Sequence, residues 1–227
     1  MTVSPQAEDA VLVIPLFNEA AIVGEVLTEA LQVFPTIICV DDASTDGSAE
    51  RAEAAGAVVV RHPFNLGQGA ALQTGVEFAL RAGDAAYLVT FDADGQHQVV
   101  DAYAMVEHAR AKDLAIVFGS RFMDKRTKPG VLRKIVLKTA VWITNQQTGM
   151  RLSDAHNGLR VIRRDAAAGL DLRQNRMAHA TEIVLQLGRT KLPWGEYPVH
   201  VLYTDYSRAK GQSLINSVNV LIDSILK

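Results

Sequence analysis

The feature that most constrains the fold of this chain is the alternation of short apolar runs with helical patterns in its first half. Buried strands are predicted at 11–16, 36–40, 57–60 and 86–91, and helices between them at about 19–33, 46–55 and 67–82. Ser44 and Thr45 are the candidate N-caps of the second helix. This alternation predicts a mostly parallel sheet covered by helices on both faces, with ligands bound where the strands end.

The second half has a looser pattern. Strands are predicted at 114–120, 158–162 and 197–204, with a helix near 177–188. Residues 213–226 place apolar side chains on one helical face. We therefore expect one α/β domain over 1–212 and a C-terminal amphipathic helix over 213–227.

Composition narrows the class of protein. Of 227 residues, 48% are hydrophobic and 21% charged, which excludes wholesale disorder. The single cysteine, Cys39, excludes a disulfide framework, and neither an export signal nor an apolar run long enough to span a membrane is visible. We expect a soluble, cytoplasmic protein with no nucleic-acid partner.

The charge is divided between the halves. Residues 1–119 hold 5 Lys and Arg against 17 Asp and Glu, whereas residues 120–227 hold 18 against 8. An acidic half suits a bound cation, and a basic half suits phosphates or an anionic membrane surface. The alternative is chance variation on a solvated surface.

Acidic residues follow three of the predicted strands. Asp92 and Asp94 come directly after the fourth strand, in DADGQH, where two carboxylates and the Gln96 carbonyl suit Mg²⁺ or Mn²⁺. Glu19 ends PLFNE after the first strand, and VDDAST follows the second. Capping and turn chemistry is the alternative for each motif taken alone.

Five motifs in order carry a resemblance to a known family. PLFNE (15–19), VDDASTDGS (40–48), NLGQGAALQTG (65–75), DADGQH (92–97) and GSR (119–121) together resemble glycosyltransferase family 2, which has the GT-A fold. The resemblance is greatest to its polyprenyl-phosphate sugar synthases, and it covers about residues 10–165. It implies a donor and metal half over 1–119 and an acceptor half over 120–212.

The resemblance also implies roles for residues of the donor half. Asp92, Asp94 and Gln96 would hold the divalent ion on the diphosphate of a UDP- or GDP-sugar, with Asp94 among the catalytic residues. The donor itself would be bound by residues at the strand ends, by the Gly-rich segment at a helix N-terminus and by a late lysine: Pro15, Phe17, Glu19, Asp41, Asp42, Asn65, Gly67, Gly69, Asp92 and Lys210.

In the acceptor half, the resemblance implies that Arg121 faces donor and acceptor phosphates and that Arg133 is a second acceptor-phosphate arginine. The family often has a serine one turn after that arginine, where this chain has Leu137. Asp154 and Glu182 are the candidate general bases for a hydroxyl acceptor. A lipid phosphate is already anionic at neutral pH and needs positioning more than proton removal.

These expectations combine into an inverting glycosyltransferase that moves a sugar from a nucleotide-sugar to a polyprenyl phosphate at the cytoplasmic face of a membrane. Its C-terminal helix would lie on the anionic surface or dock on a small membrane protein. Two alternatives stay open. The acceptor could be the hydroxyl of a glycan or lipid-linked sugar, or the domain could be a catalytically idle binding subunit.

Overall fold

The computed structural model describes residues 6–123, 131–175 and 178–202, and within the fifth helix it leaves out the side chains of residues 131–137 and 140. The strands are β1 Ala10–Leu16, β2 Thr36–Asp41, β3 Val58–Arg61, β4 Tyr87–Thr90, β5 Ile116–Ser120, β6 Arg160–Arg163 and β7 Trp194–Pro198. The helices are α1 Val23–Ala30, α2 Ser48–Ala55, α3 Gln68–Ala82, α4 Val99–Ala111, α5 Val131–Thr148, α6 Arg164–Ala167 and α7 His179–Arg189.

The seven strands form one sheet in the order β3-β2-β1-β4-β6-β5-β7. Only β6 among them runs antiparallel to its neighbours, so the mostly parallel α/β domain predicted from the alternation is confirmed. The chain moves outward from β1 to β2 and β3 and then returns to place β4 on the other side of β1. That reversal between β1 and β4 is the position where open α/β sheets form a ligand crevice.

Alternating side chains of the strands bury two hydrophobic layers. In β1, Leu12, Ile14 and Leu16 pack with apolar residues of α1, α2 and α4 on one face. Val11 and Val13 pack on the other face against residues of α3, α5, α6 and α7. Both faces of the sheet are therefore covered, and its carboxyl edge is left for polar loops.

Several local expectations need correction. The N-cap of α2 is Gly47, with a positive φ of 85° and no side-chain cap, so Ser44 and Thr45 do not cap it. The last strand runs over Trp194–Pro198 rather than 197–204, because it pairs in parallel with β5 in a register that matches Trp194 with Ile116. Helices α4 and α5 were not predicted.

No helix in the described ranges combines the length and the apolar character that crossing a bilayer requires. The expected amphipathic helix over 213–227 lies outside the described residues.

Gly75 sets how closely α3 approaches the sheet. A Cβ built there would lie 2.3 Å from Val13 Cγ1 and 3.2 Å from Val40 Cγ2, whereas one built at Gly24 in α1 meets nothing within 4 Å. We expect Gly75→Ala to lower the free energy of unfolding by about 1–3 kcal/mol, because α3 must shift away from two buried strands.

Gly24→Ala is the matched control, since it adds the same methyl group to a helix facing open space. It should raise the free energy of unfolding by up to about 1 kcal/mol. Urea denaturation of both variants checks the pair, and equal effects would contradict the close packing of α3.

Candidate active site

A cleft of about 470 Å³ opens at the carboxyl ends of β1, β2 and β4. It lies at the reversal of strand order, and its walls are strand ends, the loops that follow them and the start of α3. The lining residues are Pro15, Leu16, Phe17, Glu19, Asp42, Asn65, Gly67, Gln68, Ala71, Asp92, Ala93 and Asp94. The cleft therefore brings together eight of the residues expected to bind the donor or its metal ion, drawn from four separate motifs.

The loops after β1 and β2 are joined by hydrogen bonds from backbone to side chain. The backbone N–H groups of residues 18, 19 and 20 donate to Ser44 Oγ at 2.9 Å, Ser48 Oγ at 2.7 Å and Asp46 Oδ2 at 3.0 Å. These N–H groups lie in the loop between β1 and α1, so polar residues of the second motif fasten that loop from another part of the chain, while α1 itself has no side-chain cap. The arrangement fixes Phe17 and Glu19 on the wall of the cleft.

Asp42 holds the next wall in place. Its carboxylate accepts hydrogen bonds from His62 Nδ1 at 2.8 Å, Leu66 N at 2.8 Å and Gly67 N at 2.7 Å. Asp41 is buried, and its Oδ2 accepts the N–H of Ser44 at 3.2 Å, so it shapes the turn after β2. Of the two neighbouring acids, Asp42 lines the cleft.

The Gly-rich start of α3 differs from expectation. Gly67 N donates to Asp42, and Gly69 N donates to the Asn175 carbonyl at 2.9 Å, so neither amide points at a bound anion. A Cβ at Gly67 would lie 2.1 Å from Asn175 O, and one at Gly69 would lie 2.0 Å from Gln174 O. The glycines let the loop before α7 approach α3, which is a packing role.

Asp92 lies in a cradle of three residues. His97 Nε2 is 3.1 Å from Asp92 Oδ2, and Gln68 Nε2 donates to Oδ1 at 3.3 Å. The carboxylate also lies against Gly158, where a Cβ would be 2.3 Å from Oδ2. Burial favours the neutral acid, but the bond to His97 and the charge of Arg160 outweigh it and hold the pKa of Asp92 below its ordinary value.

Asp94 has the opposite electrostatics. Burial and the nearby negative charge of Asp92 raise the pKa of Asp94 from 3.8 to about 6, although the Gln96 N–H donates to its Oδ1 at 3.0 Å. Two carboxylates thus repel each other in the cleft.

The donor set fits a hard divalent cation that shares its shell with a substrate. Among the described residues, no three His, Cys, Asp or Glu side chains gather into a complete metal cluster. Mg²⁺ and Mn²⁺ sites commonly use one or two carboxylates and take their other oxygens from phosphates and water. Asp92 and Asp94 supply that pair, and their repulsion is what a cation would relieve.

Arg121 and Asp154 form a buried pair at the end of β5. Arg121 Nε and Nη2 donate to the two carboxylate oxygens at 2.6 and 2.8 Å, and the Arg121 N–H donates at 3.1 Å. The Asp154 side chain has no exposed surface. Despite its burial, the charge of Arg121 lowers the pKa of Asp154. This geometry argues against Asp154 as a general base, because it offers a substrate no reachable oxygen.

Glu182, the other candidate base, organises a loop. Its carboxylate accepts the backbone N–H of Arg173 at 3.0 Å and of Gln174 at 2.8 Å, and Gln186 Nε2 lies 3.3 Å away. The loop that it holds is the one that packs on Gly67 and Gly69. The structure therefore gives Glu182 a structural task at the start of α7.

Two expected site residues fall outside this description. Lys210 lies outside the described residues, and Arg133 lies in α5 where side chains are not described. Gln96 is described through its backbone, which donates to Asp94 and accepts the N–H of Leu202 at 2.9 Å.

The sequence alone assigned no role in the site to several residues that the structure places there. Gln68 and His97 contact Asp92, His62 contacts Asp42, and Arg160 is buried close enough to Asp92 for its charge to lower the pKa of that carboxyl. Gln68 and His97 lie inside motifs that the sequence singled out, so their positions beside the glycines and the acids were the available signal. His62 carried no such signal, because its partner is twenty residues away.

The raised pKa of Asp94 predicts that its ionised carboxylate lowers the free energy of unfolding at neutral pH. In the unfolded chain the carboxyl titrates near 3.8, so the penalty for ionising it in the fold appears between about pH 4 and 6 and is complete above pH 6. We expect Asp94→Asn to raise the free energy of unfolding by about 1–2 kcal/mol over the wild type at pH 7.5 without metal.

Most of the gain should be gone at pH 4, where Asp94 is protonated in the folded protein and only partly ionised in the unfolded chain. Thermal or urea unfolding at the two pH values measures it. A variant that is equally stable or weaker at pH 7.5 would contradict the repulsion between Asp92 and Asp94.

Comparison with known proteins identifies relatives over most of the chain. A UDP-N-acetylglucosamine–dolichyl-phosphate N-acetylglucosaminyltransferase from Methanococcus voltae is 30% identical over 226 residues, covering 90% of each chain. An undecaprenyl-phosphate mannosyltransferase from Micrococcus luteus is 30% identical over 169 residues, covering 70% of this chain and 68% of the relative.

The fold has solved counterparts. Glucosyl-3-phosphoglycerate synthase from Mycobacterium tuberculosis, crystallised with Mn²⁺, UDP and glucosyl-3-phosphoglycerate, superposes with a TM-score of 0.66 at 18% identity, covering 95% of this chain and 79% of that one. The family model described as glycosyl transferase family 2 matches residues 11–170, a span that contains every residue lining the cleft. The chain therefore belongs to glycosyl transferase family 2 and is a glycosyltransferase.

Proposed function

We propose that this glycosyltransferase moves a sugar from a nucleoside diphosphate sugar to a polyprenyl phosphate, with inversion at the anomeric carbon. The observation that carries the choice of acceptor is that both carboxylates weighed as general bases are engaged elsewhere in the fold. Asp154 is paired with Arg121, and Glu182 accepts backbone N–H groups. A phosphate acceptor needs neither, because it is already an anion at neutral pH.

The donor's nucleoside is assigned to the wall formed by Pro15, Phe17, Glu19 and Asp42. Phe17 is 44% exposed and offers a ring face at the cleft. Asp42 and Asn65 also line the cleft, where they would contact polar groups of the base or the ribose. The Methanococcus voltae relative is named for a UDP-sugar, and the Mycobacterium tuberculosis structure holds UDP. Both support a UDP-sugar as the first donor to test, with a GDP-sugar beside it.

The diphosphate belongs next to Asp92 and Asp94. A divalent cation held by these carboxylates would neutralise the leaving nucleoside diphosphate as a Lewis acid. The protein's own contribution is to fix Asp92 through His97, Gln68 and Gly158, so that the carboxylate keeps one orientation. Mn²⁺ in the Mycobacterium tuberculosis structure supports Mn²⁺ or Mg²⁺ as the ion.

On the acceptor side, the Arg121–Asp154 pair is a rigid element of nearly zero net charge. Its role in this proposal is to fix the end of β5, rather than to take a proton. Further positive charge for the acceptor phosphate would come from the basic stretch 121–138, including Arg133, and from Lys210. A polyprenyl chain resides in a membrane, so residues 213–227 remain our proposed contact with the anionic surface or a small membrane protein.

The direct test incubates the purified chain with polyprenyl phosphate in detergent, Mg²⁺ or Mn²⁺, and a panel of labelled UDP-, GDP- and dTDP-sugars. We expect label from one donor to enter the organic phase and EDTA to abolish the transfer. Hydrolysis of a donor without labelled lipid would favour a hydroxyl acceptor. Absence of donor binding as well as transfer would favour an idle binding subunit.

Asp92→Asn should lower transfer by at least about 100-fold, because a neutral amide loses the charge attraction for the cation. Asp113→Asn is the matched control, since Asp113 is a surface carboxylate paired with Arg163 and lies outside the cleft. Initial rates at saturating donor and metal measure the effect. Retention of more than a tenth of the wild-type rate in Asp92→Asn would contradict the assignment.

Glu182→Gln separates the two acceptor chemistries. The amide keeps an oxygen for the N–H groups of Arg173 and Gln174 but cannot accept a substrate proton. We expect transfer to polyprenyl phosphate to fall by less than about tenfold with an unchanged pH profile. A loss above 100-fold together with a lost acidic limb in the pH profile would assign Glu182 as a base and favour a hydroxyl acceptor.

A further inference from the structure

Arg160 is a buried cation beneath the candidate metal site. It is 2% exposed in β6, between Thr90 of β4 and Phe118 of β5 in the sheet. Its Nη1 lies 3.4 Å from the carbonyl of Gly158. Its Nε and Nη2 atoms are buried and have no hydrogen-bond partner among the described residues. A guanidinium so poorly partnered costs folding free energy, which points to a task other than stability.

The charges around Arg160 indicate what that task is. Burial lowers the pKa of Arg160 to about 10, and the carboxylates of Asp92 and Asp154 act in the opposite sense. The side chain therefore stays charged at neutral pH. Gly158 connects Arg160 to Asp92. Arg160 faces the carbonyl of Gly158, and the Asp92 carboxylate lies against the same glycine.

Arg160 is one of several charges that act on the two carboxylates. Asp92 and Asp94 are joined by Glu19, whose negative charge acts on Asp94, whereas Arg160 is a positive charge that acts on Asp92. Arg160 therefore opposes the binding of a divalent ion alone. An ion that arrives together with a diphosphate adds little net charge, so Arg160 opposes it far less.

We propose that Arg160 is a positioning residue that makes firm binding of the divalent ion depend on the donor's diphosphate. The inference rests on the proposed function, because it assumes that Asp92 and Asp94 hold the ion. The guanidinium reduces the attraction of the empty site for a free cation. It does so without contacting the cleft, since Arg160 is not among the residues that line it.

The experiment measures Mn²⁺ affinity by titration calorimetry or by the electron paramagnetic resonance of free Mn²⁺, at pH 7.5, with and without saturating UDP and, separately, GDP. Arg160→Met keeps the apolar stem and removes the charge. It should bind Mn²⁺ alone about tenfold more tightly than the wild type, so that the gain from adding nucleotide shrinks by a similar factor.

Arg163→Met is the matched control. It removes the same charge from the same strand, but Arg163 is paired at the surface with Asp165 and Asp113 at the other end of β6. Its Mn²⁺ affinity should match the wild type. Arg160→Gln, a second uncharged variant that can still donate to the Gly158 carbonyl, should behave like Arg160→Met, and thermal unfolding identifies any variant that fails to fold.

The sign of the change distinguishes the inference from simple structural damage, which would weaken Mn²⁺ binding. Unchanged or weaker binding of Mn²⁺ alone in both uncharged variants would overturn the role of Arg160 and leave the proposed function standing. If the wild-type protein fails to bind Mn²⁺ even when UDP or GDP is present, the metal-dependent donor site is overturned, and the role of Arg160 with it.

Discussion

Negative charge at the carboxyl edge of a parallel sheet is the constraint on which the rest of this structure depends. Asp42, Asp92 and Asp94 are drawn together there by the strand order, and each needs hydrogen-bond donors. Asp42 obtains them from His62 and the loop before α3, and Asp92 from His97 and Gln68. The loops around the cleft take their shapes largely from meeting this demand.

The polar residues of the motifs therefore do two kinds of work. Ser44, Asp46 and Ser48 fasten one loop to another, so that Phe17 and Glu19 stand at the cleft. The glycines at the start of α3 let a second loop pack against the helix. What remains exposed to a ligand is a small set of carboxylates and one aromatic ring, held by a larger set of buried partners.

Much of the fold was predictable because it depends on local patterns. Apolar runs identified β1, β2, β3 and β4 to within a residue or two, and alternation predicted the parallel sheet. The parts that failed depend on pairing across the chain. The last strand is set by its register with β5, and Ser44 accepts the N–H of Asn18 in the loop after β1 rather than capping the helix that follows it.

The site was predictable in its membership more than in its roles. Motif spacing identified the acids that line the cleft, because strand ends converge in this topology. Spacing cannot show that Asp154 forms an ion pair with Arg121, 33 residues away, or that Glu182 accepts backbone N–H groups of the loop before α7. Those pairings favour an acceptor that brings its own negative charge over one that must lose a proton, which is the central claim of this account.

The measurement that tests this claim most directly compares polyprenyl phosphate with the polyprenol of the same chain length, as acceptors for one labelled nucleotide-sugar, across pH 5.5–9. The two lipids differ only in the phosphate, so the ratio of their transfer rates reports what the nucleophile must be. We expect transfer to the phosphate and none above background to the alcohol at any pH. Equal or faster transfer to the alcohol, rising with pH, would contradict it.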